Sequence, residues 1–520
     1  MRLLFSAFLV LCCIPGSASL KKNCWKKQEV CVCADGYCDE VEPIGSLSNG
    51  QIAVYTTSID GKRLSRTNST FQKTTGGQKF DYDIKLDADK TYQSIIGFGA
   101  AFTDAAGINL LTLTEDMQKL LLASFFGKTG IELNMARVPI GSCDFSSRVY
   151  SYADQENDFD MKTFALADED FKLKIPFMKI ANELTGNKLK FFSGIWSPPW
   201  WMKKTEKMVS GGPLKGVVSQ SDKYYNAYVK YIIRFFEEYK KQNITFWGLG
   251  VQNEPSLGIV DDYWWQELYL SADMEREFIK QLLGPAVRSN PVTKDLKILC
   301  MDDQRFELPH RPFEILNDSV ANSYVDGIAV HWYENFLFDA KVMSTVHDVH
   351  PDKFFIATEA CNGYSFLEPG PKPGDWSNGM AYAIDILDDL QNWVTAWNEW
   401  NIAVDEQGGP TFAKNYVDAS IIVNTTAKEF YKNPSFYVLG QFSKFIRPGS
   451  VRIDLNMANF DKKQLDAVAF RTPTNQFVVV LVNRNGEKTY KVRIGNPSQP
   501  LTSVNLSLDP NSVTTLIWNA

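Results

Sequence analysis

Two glutamates stand directly after apolar stretches of this sequence. Glu254 follows "WGLGVQN" and Glu359 follows "FFIAT". Two carboxyl groups that face each other can cleave a glycosidic bond, because one donates a proton to the leaving oxygen while the other, ionised, attacks or stabilises the sugar centre. Either glutamate alone could be an ordinary solvated residue at the start of a loop. The hypothesis therefore depends on a fold that brings the two together.

Other polar and aromatic residues also stand near the ends of apolar stretches. Aromatic rings offer flat faces to the C–H surfaces of sugars, and carboxylates and amides offer directional hydrogen bonds to hydroxyls. Each such residue alone could equally be part of the core, and His331 alone could be a structural histidine. The residues in these positions are Arg137, Asp144, Trp196, Asn253, His331, Tyr333 and Trp400.

Eight short apolar segments alternate with helical segments between residues 95 and 450, and this pattern predicts a catalytic (β/α)8 barrel of the α/β class. Functional side chains gather at the C-terminal ends of barrel strands, and the two glutamates would follow strands four and seven, nearly opposite each other. The predicted strands lie in "IIGFGAAF", "LNMARVPI", "KLKFFSGIW", "ITFWGLGVQNEP", "LKILCMDD", "VDGIAVHWY", "KFFIATEA" and "NWVTAWNEWNI".

The two flanks of the barrel have a different pattern. Residues 46–94 and 451–520 contain alternating apolar and polar residues interrupted by turn signals such as Asn-Gly, which is typical of antiparallel strands. We predict that both flanks together form an accessory all-β sandwich domain.

Composition and the first residues restrict the location and partners. The chain has 520 residues and a net charge of −7 without blocks of Lys or Arg, which argues against nucleic acid as a partner. Residues 1–18 contain one Arg, an apolar run and a small-residue end, as in a cleaved signal peptide. No later stretch is long and apolar enough to cross a bilayer, so we expect a soluble protein in a lumen or outside the cell.

Cysteines cluster in residues 19–45. In an oxidising lumen this cluster predicts two disulfides; zinc is the alternative, but the segment contains no histidine. Elsewhere, Cys361 could act as a nucleophile near Glu359, although no histidine stands nearby in the sequence to activate it. The clustered cysteines are Cys24, Cys31, Cys33 and Cys38.

Asn-x-Ser/Thr sequons predict glycosylated, exposed positions. The four histidines form no metal pattern, and "GFGAAFTD" lacks the third glycine of a dinucleotide site, so we expect neither a metal nor an organic cofactor. The sequons begin at Asn68, Asn243, Asn317, Asn424 and Asn505.

Several long motifs, in order along the chain, resemble one known family. They are "CVCADGYCD", "RVPIGSCDFS", "GLGVQNEP", "MDDQR", "GIAVHWY", "IATEAC", "WNIAVDEQGGP" and "FYVLGQFSKFIRPGS". They resemble the lysosomal acid β-glucosidases, or glucosylceramidases, of glycoside hydrolase family 30. The resemblance spans nearly the whole mature chain and implies a (β/α)8 barrel with a β-sandwich assembled from both flanks.

Carried over residue by residue, the resemblance implies a role for each candidate. Glu254 would be the acid/base and Glu359 the nucleophile, with Asn253 near the sugar 2-hydroxyl. Cys24 would pair with Cys31, and Cys33 with Cys38. The glucose pocket would be lined by Asp144, Trp196, Trp400 and Asn415, and the carboxylates supported by Arg137, His331 and Tyr333.

The activity implied is retaining hydrolysis of glucosylceramide to glucose and ceramide in the lysosome lumen, at the membrane surface. Anionic lipids, a saposin-like activator and a sorting receptor are the implied partners, and secretion is the alternative destination. Two other functions stay open: action on another glycoside, such as a xylan or a sterol glucoside, and binding of glycolipid without catalysis.

Overall fold

The computed structural model describes residues 30–74, 77–458 and 460–520. The expected signal peptide at residues 1–18 and Cys24 lie outside this range. The described part contains the barrel, both of its flanks and the segment that carries Cys31, Cys33 and Cys38.

The described strands fall into four groups along the chain. Before the barrel, β1 to β5 lie at Cys31–Cys33, Gln51–Ser58, Ser65–Thr70, Gln72–Lys73 and Tyr82–Ser94. The barrel strands β6 to β13 lie at Gly97–Ala101, Met135–Ile140, Lys190–Ile195, Phe246–Gly250, Lys297–Gln304, Gly327–His331, Phe354–Glu359 and Val394–Asn401. Next come β14 to β16 at Val404–Asp405, Ile421–Asn424 and Glu429–Lys432, and then β17 to β22 at Val451–Met457, Leu465–Arg471, Gln476–Asn483, Tyr490–Asn496, Gln499–Leu508 and Ser512–Asn519.

Strands β6 to β13 close into a parallel barrel, which confirms the predicted fold class. The ring is closed where β13 pairs with β6, with Trp397 opposite Phe98. Each of the eight predicted segments overlaps one barrel strand. Apolar side chains fill the interior beneath the strand ends, as a packed barrel core requires, and they come from six strands: Met135, Phe192, Leu299, Ala329, Ile356 and Ala396.

Helices surround the barrel. Helix α4 begins after Asp222, whose side chain accepts hydrogen bonds from the backbone N–H groups of Tyr224 and Tyr225. The helix that begins at Ala272 is an α-helix as far as Phe278 and then becomes a π-helical turn at Ile279–Leu283. The described helices α1 to α11 lie at Asp104–Thr112, Glu115–Phe126, Ile175–Leu184, Lys223–Lys241, Ala272–Phe278, Gly284–Ser289, His310–Leu316, Ser319–Tyr324, Lys341–Val349, Trp376–Gln391 and Pro434–Ser443.

Both flanks contribute to a single ten-stranded sheet. Its strand order is β3-β2-β22-β19-β18-β17-β5-β20-β21-β4, so a strand from before the barrel pairs with one from after it at four places. Val54 pairs with Leu516 across the two flanks, and Leu455 pairs with Leu86. A second apolar core, which includes Ile84 and Trp518, lies within this accessory domain. The accessory all-β domain expected from the flanks is thus present.

The N-terminal segment is attached to the barrel through a small sheet. Strand β1 pairs with β16, and Cys33 is disulfide-bonded to Cys38. The expected pairing of Cys24 with Cys31 involves a residue outside the described range and stays a prediction. Among the described residues, no helix combines the length and apolar character needed to cross a bilayer.

The sequon asparagines differ in their exposure. Asn68, Asn243, Asn317 and Asn505 are exposed, as expected. Asn424 is buried, which corrects the expectation of an exposed position there. Its Nδ2 donates to the Tyr431 hydroxyl at 2.8 Å, so the nitrogen that a glycan would occupy is packed inside the fold.

Candidate active site

Glu254 lies four residues beyond the end of β9, on a loop that turns back into the mouth of the barrel. Its backbone has a φ of 40°, in the left-handed region that is uncommon for residues other than glycine. Its Oε1 accepts hydrogen bonds from Gln304 Nε2 at 2.7 Å and from His331 Nδ1 at 3.0 Å. The carboxyl group is therefore held in the cavity by two donors from neighbouring strands.

Glu359 is the last residue of β12 and faces the same cavity. Its Oε1 accepts a hydrogen bond from the Tyr333 hydroxyl at 2.8 Å, and its Oε2 is ion-paired with Arg137. The sequence predicted Arg137 near the end of strand two, whereas it is the third residue of β7. From there its guanidinium reaches up inside the barrel to Glu359.

The two glutamates lie close enough for a double displacement. One carboxyl oxygen of Glu254, one of Glu359 and a ring nitrogen of His331 all lie within 4.8 Å of one another. Retaining glycosidases hold their carboxyl groups about 5–5.5 Å apart, whereas inverting enzymes leave roughly 6.5–9.5 Å for a water molecule. The spacing fits the retaining arrangement.

The charges of this cluster depend on one another. Burial lowers the pKa of His331, but the Glu359 carboxylate and the hydrogen bonds to Asp302 and Glu254 raise it to about 10, so both ring nitrogens carry protons. Burial raises the pKa of Glu359, although His331 and Arg137 act in the opposite direction. The site is therefore a network of buried charges in which the positive charges of Arg137 and His331 stabilise the neighbouring Glu359 carboxylate.

Asp302 is a member of the network that the sequence analysis did not single out. It accepts from Arg137 Nη2 at 2.9 Å, from His331 Nε2 at 3.2 Å and from Thr358 Oγ1 at 2.6 Å. Burial raises the pKa of Asp302, but Arg137 and His331 outweigh burial and lower it to about 2. Asp302 belongs to the motif "MDDQR", which does not by itself indicate which of its two aspartates joins the network.

The cavity has a volume of about 590 Å³ and an aromatic wall. The rings of Trp196 and Trp400 stack with centroids 5.2 Å apart, and the Arg137 guanidinium lies over both rings. Asp144 and Asn415 also line the cavity, and Asp144 Oδ2 accepts from Asn415 Nδ2 at 2.9 Å. Burial and the Glu359 charge raise the pKa of Asp144 to about 7, so in acid it carries a proton that it can donate to a sugar hydroxyl.

The structure brings all ten candidate site residues into this one region. Glu254, Glu359, Asp144, Trp196, Trp400, Asn415 and Tyr333 line the cavity. Asn253 accepts a hydrogen bond from Arg137 Nη2 at 2.9 Å, and His331 is fully buried between Glu254 and Asp302. Cys361 also lines the cavity, with its Sγ 3.3 Å from the Tyr333 hydroxyl.

The spacing of Glu254, His331 and Glu359 would suit a metal ion, but their bonding does not. Both nitrogens of His331 carry protons and face carboxylates, so neither has a lone pair to offer. Arg137 already places a positive charge at Glu359. Cys33, Cys38 and Asp39 are also close together, but their two sulfurs form the disulfide.

A (β/α)8 barrel with paired carboxylates at its C-terminal mouth, beside a cavity with an aromatic wall, is the arrangement of a glycoside hydrolase. Residues 95–446 match the glycosyl hydrolase family 30 TIM-barrel domain, and residues 449–516 match the glycosyl hydrolase family 30 beta sandwich domain. The chain belongs to glycosyl hydrolase family 30.

Individual relatives cover nearly the whole chain. A Caenorhabditis elegans protein named as a glucosylceramidase is 46% identical over 490 residues, which are 94% of this chain and 93% of that protein. The mouse lysosomal acid glucosylceramidase is 38% identical over 476 residues, 91% of this chain and 90% of that protein. The crystal structure of SrfJ from Salmonella typhimurium has the same fold, with a TM-score of 0.80 over 90% of this chain and 100% of that chain, at 24% identity.

Proposed function

We propose that this protein hydrolyses the β-glucosidic bond of glucosylceramide with retention of configuration. The observation that carries the proposal is the approach of a Glu254 oxygen and a Glu359 oxygen to within 4.8 Å at the mouth of the barrel. Similarity to proteins named as glucosylceramidases over more than nine-tenths of the chain supports glucosylceramide as the substrate.

In the first step of the proposed reaction, Glu359 attacks the anomeric carbon while protonated Glu254 gives its proton to the ceramide oxygen. Ceramide leaves, and the glucose is bound to Glu359 as an ester. In the second step the Glu254 carboxylate takes a proton from water, which attacks the anomeric carbon and releases β-glucose. His331 and Gln304, which donate to Glu254, would stabilise its carboxylate between the two steps.

The rim of the cavity supports a lipid leaving group. We call four large apolar side chains at the cavity opening the apolar rim: Trp264, Phe336, Phe366 and Leu367. Phe366 and Leu367 are 87% and 91% exposed, and Phe366 packs against Trp264 with centroids 6.3 Å apart. An exposed apolar patch around a ligand cavity is typical of a site for an apolar partner. Lys414 at the same opening adds a positive charge that suits an anionic lipid surface.

Location and partners are part of the proposal. The name of the mouse relative supports a lysosomal lumen as the site of action. We propose peripheral binding to anionic membranes, a saposin-like activator and delivery by a sorting receptor, with secretion as the alternative. The roles of the individual site residues also stay proposals, including the contact of Asn253 with the sugar 2-hydroxyl.

One assay tests the proposal. Glucose release would be measured from glucosylceramide in vesicles, with and without anionic lipid, from about pH 4 to about pH 8. We expect β-glucose as the first product and faster release in acid with anionic lipid. Cleavage of xylan or a sterol glucoside without cleavage of glucosylceramide would favour the related glycosidase, and binding without any release would favour a glycolipid-binding protein.

A further inference from the structure

We propose that Gln304 is a positioning residue that holds Glu254 in the geometry for proton transfer; this inference rests on the acid/base role of Glu254 in the proposed function. Gln304 ends β10, lines the cavity and is buried. Its Oε1 accepts from the backbone N–H of Tyr333 at 3.0 Å, which fixes the orientation of the amide. Gln304 Nε2 must therefore face Glu254, and it donates to Glu254 Oε1 at 2.7 Å.

Glu254 needs such support because of its backbone. A φ of 40° is unfavourable for a side chain with a Cβ and persists only where the surroundings hold it. Its backbone N–H donates to the Asp302 carbonyl at 2.9 Å, and the N–H of Ser256 donates to Asp303 Oδ2 at 2.9 Å. The end of β10 thus holds the loop at two backbone positions, and Gln304 adds the contact to the side chain.

The contacts to the Glu254 carboxyl group are uneven. The hydrogen bonds that the described residues make to it, from Gln304 and His331, both reach Oε1. Oε2 is therefore the oxygen left to exchange the proton with the leaving group or with water. Without Gln304 the carboxyl group could rotate, and proton transfer would lose its alignment while attack by Glu359 would not.

This difference can be measured through the leaving group. Cleavage of phenyl β-glucoside needs proton donation to the leaving phenolate oxygen. Cleavage of 2,4-dinitrophenyl β-glucoside does not, because dinitrophenolate is a weak base and leaves as the anion. Gln304→Met keeps the side-chain length but removes both the donor to Glu254 and the acceptor of the Tyr333 N–H. For this variant we expect kcat/KM to fall about tenfold or more with the phenyl glucoside and less than about threefold with the dinitrophenyl glucoside. An equal loss with both substrates would overturn the proposal.

A matched variant and a rescue experiment separate positioning from a general structural effect. Tyr333→Phe removes the hydroxyl that donates to Glu359, and should therefore slow both substrates alike. Hydrolysis of the glucosyl-enzyme needs Glu254 as a base, whereas azide attacks it without a base. Azide should therefore raise kcat of Gln304→Met with the dinitrophenyl glucoside, because that substrate makes the second step rate-limiting, and yield β-glucosyl azide. Absence of both the azide product and any rate increase would contradict a role through Glu254.

If Gln304→Met does not fold, Gln304→Glu is the variant to use, because it keeps the shape of the side chain. A carboxyl group beside Glu254 would share its proton, so the alkaline limb of the kcat/KM profile should move up by about one pH unit. An unchanged limb would refute the positioning role. Failure of the unmodified protein to release glucose from glucosylceramide and from both aryl glucosides would instead refute the proposed function, and this inference with it.

Discussion

Arg137 illustrates how single residues maintain the site. Its guanidinium is fully buried and contacts Glu359, Asp302 and Asn253 together. A buried cation left without a partner is strongly destabilising. Because Asp302 stays ion-paired with Arg137 at 2.9 Å, the charge at position 359 can be removed, by the reaction or by mutation, without leaving Arg137 unpaired.

Glu359→Gln should therefore abolish turnover and leave the fold intact. Without the nucleophile we expect kcat/KM on any β-glucoside to fall by roughly 10³-fold or more, because the covalent step is lost. The melting temperature should change by only a few degrees, since Tyr333 and Arg137 still face an amide of the same shape. Steady-state kinetics and thermal unfolding check both parts, and a variant with undiminished activity would disprove the role of Glu359.

Residues differ in how far the sequence predicted their roles. Glu254 and Glu359 could be predicted because each follows an apolar stretch and faces the other across the barrel. Asp302 could not, because its position depends on local backbone geometry. Met301 and Asp302 have φ values of 75° and 48°, and the pairing of β10 with β11 shifts register there. Such a bulge turns a side chain to a new direction and leaves no clear mark in the sequence.

At the scale of elements, the barrel strands were predictable and their ends were not. An apolar run shows that a strand exists, but tertiary hydrogen bonds decide where it stops. Strand β9 ends at Gly250, and the next residues bend inward because the Asn253 N–H donates to the Ile195 carbonyl at 2.9 Å. The expectation that Asn424 is exposed was wrong because it also depended on a tertiary hydrogen bond. Only the fold brings the Tyr431 hydroxyl against Asn424.

The apolar rim is an element whose contribution can be tested apart from the chemistry. Replacing Phe366 and Leu367 together by Ser should reduce activity on glucosylceramide in vesicles about tenfold, because burying even part of two large side chains stabilises binding by more than about 1.4 kcal/mol. The loss on a water-soluble aryl glucoside should be several-fold smaller, since that substrate lacks a lipid portion. Both rates would be measured on the same preparations.

Leu501→Ser is the matched control for the rim variant. Leu501 is 76% exposed and lies in β21 of the accessory domain, so its replacement also removes an exposed apolar side chain. We expect this variant to match the original protein on vesicles. Equal losses on vesicles and on the soluble glucoside in the rim variant would show that Phe366 and Leu367 do not act through the lipid.

The whole molecule contains buried carboxyl groups that favour acid conditions. Burial raises the pKa of Asp144 and Asp303 to about 7, that of Asp418 to about 6 and that of Glu399 to about 8. In the unfolded chain these groups ionise near pH 4. The stability they contribute is therefore complete below about pH 4 and is lost as the pH rises through their folded pKa values.

Two other buried groups affect how the stability of the fold depends on pH: Asp302 sets its limit in acid, and Lys203 opposes the effect of the four carboxyl groups. Burial raises the pKa of Asp302, but Arg137 lowers it to about 2, so its stabilisation is lost as the pH falls below about 4 toward 2. Burial lowers the pKa of Lys203 to about 7, and the penalty for its charge grows as the pH falls toward that value. One amine acts against four carboxyl groups, so we expect the greatest stability between about pH 4 and about pH 6.

Glu399 allows this expectation to be tested at one position. Its Oε1 accepts from the Tyr382 hydroxyl at 3.0 Å and from the Ser420 N–H at 2.6 Å, and glutamine can accept both bonds without ionising. The melting temperature of the original protein should fall between about pH 5 and about pH 8, and that of Glu399→Gln should fall less. Thermal unfolding at both values measures the difference. Equal pH dependence in the two proteins would mean that Glu399 does not weaken the fold when the pH rises, and that other groups cause the loss.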